Sequence, residues 1–421
     1  MVNFAFVIER IIMSEIYLVF VVFLFVLAVF DLMVGVSNDA VNFLNSAIGA
    51  KVAKFRTIII VAAVGVFIGA TMSNGMMEVA RHGIFHPAMF SFKELMFIFL
   101  AVMISDVILL DIFNNLGLPT STTVSLVFEL LGGTTAFVLL KLANDTTGLT
   151  VGDLMNTEKA LGMIMAIFVS VAIAFFFGIV LQYISRLVFT FTYKKNLKWK
   201  IGIFGGVATT AIFYFMLFKG IKSMSFVTPE IYEYIQNHTL TILGICFLAS
   251  TAIMQFLYFL KVNVFKILVL MGTFALAMAF AGNDLVNFIG VPLAGYSAYT
   301  DFAASGASDP STFMMSSLEG PAKSPMIFLV AAGAVMVFSL ATSKKAHNVI
   351  KTSVDLSRQS EGDEMFGSSK IARVLVRFSN NTANFFQDVV PDNVKAWCEK
   401  RFNTDEAILP EGSAFDEVRA T

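Results

Sequence analysis

The hexapeptide Asn38-Asp39-Ala40-Val41-Asn42-Phe43 returns late in the chain as Asn283-Asp284-Leu285-Val286-Asn287-Phe288, with five of its six positions identical. Each copy interrupts a long apolar stretch. A carboxylate flanked by amides supplies hard oxygen donors that suit a cation such as Na+. Ionisable groups inside apolar spans are costly and mark ion or substrate paths. Asn and Asp also compete with helical hydrogen bonding and cap helix starts. The expectation is therefore that each span unwinds at its Asn-Asp pair and restarts as a half-helix, whose free N–H groups face an anion. The plainer reading of either copy alone is interhelical hydrogen bonding. A repeated copy argues for a site.

A second constellation is Leu118-Pro119-Thr120-Ser121-Thr122-Thr123, followed by an apolar run from Val124. Proline fixes a helix entry, and consecutive hydroxyl residues at a helix start offer donors to an oxyanion beside unpaired backbone N–H groups. Taken alone it is also a plain N-cap. A third feature is an imbalance of charge. Asp31, Asp39, Asp106, Asp111, Glu129 and Asp284 fall within apolar stretches, where no Lys or Arg lies deep. Carboxylates without basic partners are protonated or meet mobile cations, which favours coupling to Na+ or H+ over an arginine clamp. Structural hydrogen bonding is the competing role for Asp31, Asp106, Asp111 and Glu129. No metalloprotease, nucleophile-elbow or nucleotide phosphate-loop pattern is present, so no catalytic residue is expected. His82 and His86 stand at i, i+4, but Gly83 and Pro87 weaken any helix there as a metal site.

The elements that must carry these residues are membrane spans. The chain has 57% hydrophobic and 14% charged residues, with mean hydropathy +0.79, a composition that excludes a soluble globule. The formal charge of -1 gives no reason to expect nucleic acid. Cys246 and Cys398 suggest no disulfide framework. No cleavable leader is legible before Ser14, where Glu9 and Arg10 interrupt the apolar residues.

Stretches long enough to cross the hydrocarbon core run at about 15–37, 56–80, 93–116, 121–142, 158–189, 200–219, 238–260, 264–290 and 324–342. The third and fourth are separated so briefly that a re-entrant hairpin of half-depth helices is an alternative to two crossings. Lys51, Lys54, Arg56, Lys194, Lys195, Lys198, Lys200, Lys261, Lys266, Lys344 and Lys345 mark connections on the cytoplasmic side. The acidic connection with Asp145, Asp153 and Glu158 and a loop from Val291 to Lys323 fall outside. This alternation orients the two Asn-Asp spans oppositely, as in inverted-repeat secondary transporters. The expected division is a first transmembrane repeat at 1–142, connecting helices at 143–263, the start of a second repeat at 264–342 and a soluble cytoplasmic tail at 343–421. That tail holds 23 of the 59 charged residues. Within it, Ser369–Phe378 and Asn393–Phe402 suit short helices and Ser360–Ser368 suits a linker.

The paired Asn-Asp segments with their trailing Asn, together with Leu-Pro-Thr-Ser-Thr-Thr, resemble the inorganic phosphate transporter (PiT) family over residues 15 to about 342. The resemblance implies an all-α, polytopic, inverted-repeat carrier of phosphate coupled to Na+ or H+. It also implies a homodimer in a lipid bilayer, here the cell's inner (plasma) membrane. Carried over by residue, Asn38, Asp39, Asn42, Asn283, Asp284 and Asn287 form the two helix-break halves of the site. Ser121, Thr122 and Thr123 form the anion-holding loop, and Asp39 and Asp284 serve the coupling cation. Two departures stand out. Val124 occupies a place where many members carry His, and the second hydroxyl loop has no counterpart except Asp309-Pro310-Ser311-Thr312. The chain is accordingly expected to be the front part of a longer transporter, or a divergent form completed by another chain. Sulfate or another tetrahedral oxyanion is an alternative cargo, and a non-transporting receptor or assembly protein acting through its tail is the alternative of another class.

Overall fold

The computed structural model describes residues 2–73, 79–144, 148–195, 197–216, 228–320, 324–359, 367, 369–389, 391–403, 409 and 411–421. Asp145, and the linker Ser360–Ser368 apart from Gly367 and its boundary Ser369, lie outside them. The helices are α1 (Val2–Asp39), α2 (Val41–Gly49), α3 (Phe55–Met72), α4 (Phe92–Leu116), α5 (Thr122–Ala143), α6 (Val151–Leu154), α7 (Thr157–Phe189), α8 (Lys200–Phe215), α9 (Pro229–Asn237) and α10 (Thr239–Phe259). They continue as α11 (Val264–Ser305), α12 (Met326–Thr342), α13 (Lys344–Leu356), α14 (Lys370–Val389), α15 (Asp392–Arg401) and α16 (Glu417–Ala420). No strand occurs among the described residues.

All nine apolar stretches form helix over most of their described residues, with 74–78 and 217–219 of the second and sixth lying outside the described residues. Among the described residues, seven spans are long and apolar enough to cross a membrane: Glu15–Gly49, α3, α4, α5, α7, α10 and α11. α8 is shorter, and α12 meets α13 at a 68° bend. At 25 and 22 residues, α4 and α5 are each about 33 Å or more in length. That suits two crossings rather than a half-depth hairpin.

The core is an antiparallel pairing of α1 with α11. Going along α1 into α2, Tyr17, Phe25 and Phe43 face Phe302, Tyr296 and Phe280 of α11, with ring centroids 5.4–6.4 Å apart. At Gly35 a side chain would begin 2.1 Å from the Phe288 ring, so the missing Cβ is the notch that seats this aromatic peg. The two hexapeptides thus run in opposite directions, and the register sets Asp39 level with Asp284. α3 closes on the other side of α11 through Gly65 and Gly69. A Cβ at Gly69 would stand 2.0 Å from the Met278 carbonyl oxygen. Small residues spaced by four let two helix backbones approach in this way.

The expected unwinding does not occur at the second motif, and at the first it is reduced to a one-residue interruption at Ala40, between α1 and α2. α11 is helical through Asn283 and Asp284. At Ala40 the backbone stays right-handed helical (φ -52°, ψ -29°), with Ala40 N–H bonded to Val36 O and Leu44 N–H to Ala40 O, both at 3.0 Å. The polar side chains find partners on other helices or three residues along their own, so they do not compete for the backbone. α11 also runs past the expected start of an external loop at Val291. Pro292 costs one helical bond, but Val291, Leu293, Ala294, Ala298 and Phe302 are buried and hold that segment in register.

The connections sort to two ends. Phe85 pairs with Met155 and Ser91 with Met314 at one end, where Lys141 also meets Glu94 at 3.0 Å. The Lys-rich connections gather at the other, drawn together by the final residues. Ala414 N–H bonds Gly49 O at 2.8 Å. Asp416 forms a buried two-pronged pair with Arg186 at 2.7 and 2.8 Å. Glu417 accepts from Tyr193 and Asn263. Burial and the neighbouring Glu417 carboxylate hold the Tyr193 phenol well above its ordinary range. Part of the expected tail therefore packs on the helical body, as does α13, whose Ala346, Val349, Ile350 and Thr352 are buried.

Candidate functional site

The turn between α4 and α5 is built by its local sequence. Gly117 ends α4 in the left-handed conformation (φ +68°). Its N–H and that of Leu118 bond back to Asn114 O and Phe113 O at 3.2 and 2.9 Å, a glycine stop of the Schellman type. Pro119 prevents the helix from resuming, and Ser121 caps the start of α5 by accepting from Val124 N–H.

This start is driven between the two motifs. Thr122 Oγ1 donates to Asp39 Oδ2 at 2.8 Å, and Thr123 Oγ1 donates to Asp284 Oδ1 at 3.1 Å. Asn287 Nδ2 reaches Thr123 Oγ1 at 2.9 Å, and Thr122 Oγ1 and Asp284 Oδ1 at 3.3 Å each. Asn42 Nδ2 donates to Asp39 Oδ1 at 3.2 Å. Adjacent threonines thus bridge two carboxylates from antiparallel helices, with an asparagine one turn after each aspartate. Asp39, Thr122 and Asn287 are buried, whereas Ser121, Thr123 and Asn42 are exposed, so the cluster is open on one side.

Asn38 belongs to the same place but faces another way. Its amide donates to Asn114 Oδ1 at 2.9 Å and Leu118 O at 3.0 Å, and its carbonyl accepts from Thr120 N–H at 2.7 Å. Asn114 in turn donates to Val34 O at 2.7 Å. Asn38 therefore fastens the hydroxyl turn to α1. Asn283 is half-buried beside Gly282, whose carbonyl accepts from Ser73 at 2.8 Å. The structure brings Asp39, Asn42, Thr122, Thr123, Asp284 and Asn287 into one hydrogen-bonded cluster, with Ser121 at its rim.

Asn114 and α13 escaped the sequence reading. Ser343, at the bend between α12 and α13, accepts from Ser37 at 2.7 Å, and Thr352 lies against Gly117. Asn114 carried a signal, a polar residue four from the turn inside an apolar run. The placement of α13 carried none. Asp309-Pro310-Ser311-Thr312 lies far from the cluster, tied to the start of α4 by Lys93 N–H on Pro310 O.

The site offers carboxylate, hydroxyl and amide oxygens for a hard cation. It also offers hydroxyls and first-turn N–H groups of α5 for an oxyanion. No Lys or Arg among the described residues bonds to either aspartate. A bundle of apolar helices around such a centre is the architecture of a multi-pass membrane protein. The chain belongs to the phosphate transporter family, whose model matches residues 35–353. A solved structure described as the sodium-dependent phosphate transporter shares the fold, with TM-score 0.54 and 18% identity, over 80% of this chain and 78% of that one. No curated protein matches the chain.

Proposed function

We propose that the chain carries inorganic phosphate across the membrane with Na+, using the threonine-bridged pair Asp39 and Asp284 as its cation-binding half. One observation carries the reading: two carboxylates converge on the anion-suited start of α5 without a basic side chain. Two negative charges would repel phosphate, so a cation must enter with it. The sodium dependence in the name of the structural neighbour supports Na+ as that cation. Ser121, Thr122, Thr123 and Asn287 supply donors to phosphate, and Asn42 orients Asp39.

Binding of one ion must then raise affinity for the other. Phosphate titrations of the purified chain at increasing Na+ test this, with Asp39→Asn and Asp284→Asn alongside. The expected result is a phosphate affinity that rises with Na+ in the wild type and loses that dependence in both variants. Equal phosphate affinity with and without Na+ refutes the coupling, and stronger competition by sulfate than by phosphate reassigns the cargo. We further propose a homodimer, for which the apolar, exposed faces of α7 and α10, with Phe175, Phe176, Leu240 and Phe259, are the candidate surface. Cross-linking in vesicles tests that assembly.

A further inference from the structure

Behind the threonines, α5 carries a second polar group that the phosphate reading does not use. Ser125 Oγ lies 2.5 Å from Asp106 Oδ1 on α4 and 2.9 Å from Glu129 Oε1 one turn along α5. A serine hydroxyl has a single proton. If both carboxyls were ionised, it could satisfy only one of these two close contacts. The other contact needs a proton supplied by a carboxylic acid, with the serine oxygen as acceptor. From α1, Asp31 faces Asp106 with its side chain fully buried, and no N–H or hydroxyl among the described residues donates to either of its oxygens. Asp106 Oδ2 and Glu129 Oε2 are likewise buried and unpartnered.

The groups facing Asp31 are Asp106, Glu129 and, farther off, Asp39, all acidic. Asp106 and Glu129 face one another and Ser125. Among the neighbouring helices, α2 and α12 carry no charged residue. On α13, Lys345 is taken up by Asp111, and on α11 Asp284 is turned to Thr123. No cationic side chain among the described residues therefore compensates the cluster, and three ionised carboxyls in a buried interior would be prohibitively costly. Among the described residues no three such side chains are grouped so as to hold a metal ion. A proton needs only the two-oxygen contacts that are present.

We propose that Asp31, Asp106, Ser125 and Glu129 form a proton-binding site, separate from the Asp39–Asp284 centre, that holds at least one carboxyl proton at neutral pH. Ser125 and Glu129 sit on the same helix as Thr122 and Thr123, so a carboxyl proton gained or lost beside Ser125 acts on the rod that presents the hydroxyls to phosphate.

Infrared spectroscopy of the full purified chain, through the C=O stretch of un-ionised carboxylic acids and its shift in deuterated water, tests the site without phosphate or transport. The Asp39→Asn/Asp284→Asn double variant removes the carboxyls of the threonine-bridged centre from the signal, while buried Asp416 is paired with Arg186 and Glu417 accepts from Tyr193 and Asn263. The expected result is an acid band at neutral pH in the wild type that persists in the double variant. It should weaken when Glu129→Gln or Asp31→Asn is added. Absence of the band in the wild type, its disappearance in the double variant, or its indifference to both added substitutions overturns the proposal. The wild-type and double-variant spectra decide it even if a triple variant fails to fold. None of these outcomes bears on phosphate binding.

Discussion

Replacing Asn38 by Ala separates fastening the site from touching its cargo. The side chain makes three hydrogen bonds, two donated and one accepted, all to the 114–120 segment. Removing it leaves Asn114 Oδ1, Leu118 O and Thr120 N–H short of a partner in a mostly buried setting. At about 1 kcal/mol for each bond, the turn loses about 3 kcal/mol of support. That corresponds to roughly a hundredfold fall in the population of correctly placed turn. Phosphate binding to the purified chain at saturating Na+, by calorimetry, and thermal unfolding of the same sample should both respond. Affinity should drop by up to about a hundredfold, and the unfolding midpoint should fall with it. Unchanged affinity and unchanged stability would refute the fastening role. Lost affinity with wild-type stability would refute it differently, by making Asn38 a direct ligand.

Three further outcomes are expected. Thr123→Val removes the hydroxyl shared by Asp284 and Asn287 and should weaken phosphate binding by about 1–3 kcal/mol, with Thr123→Ser restoring most of it, as titration would show. Gly69→Leu forces a side chain into the Met278 carbonyl and should cost at least about 1–3 kcal/mol of stability by overpacking, measured as a lower unfolding midpoint. Arg186→Leu strands the buried Asp416 carboxylate at a cost of about 3–5 kcal/mol and should expose the end of the chain to limited proteolysis, while Arg186→Leu/Asp416→Leu should recover much of the protection.

The sequence made the spans and the two motifs plain because their signals are local. Apolar length marks a crossing, and Gly117-Leu118-Pro119 followed by hydroxyl residues marks a turn into a capped helix. The continuity of α11 through Asn283 and Asp284 was not legible, since the outcome depends on whether Thr123 and Asn287 satisfy the side chains before the backbone must. The extension to Ser305 was hidden for a related reason. Pro292 reads as a stop unless the burial of the residues around it is known. The bonds from Asn38 to Asn114 and from Arg186 to Asp416 join residues far apart in sequence, and no periodicity records such pairings. The motif residues themselves were legible, but their division between fastening and ligand-facing roles required geometry.

The Phe288 ring seated at Gly35 restricts how this molecule can change shape. If α1 slipped lengthwise against α11 by one turn, the ring would strike a neighbouring side chain, and the two aspartates would part by about 5 Å. The long pair must therefore travel as one beam, and any opening toward either face of the bilayer has to come from pieces that swing around it.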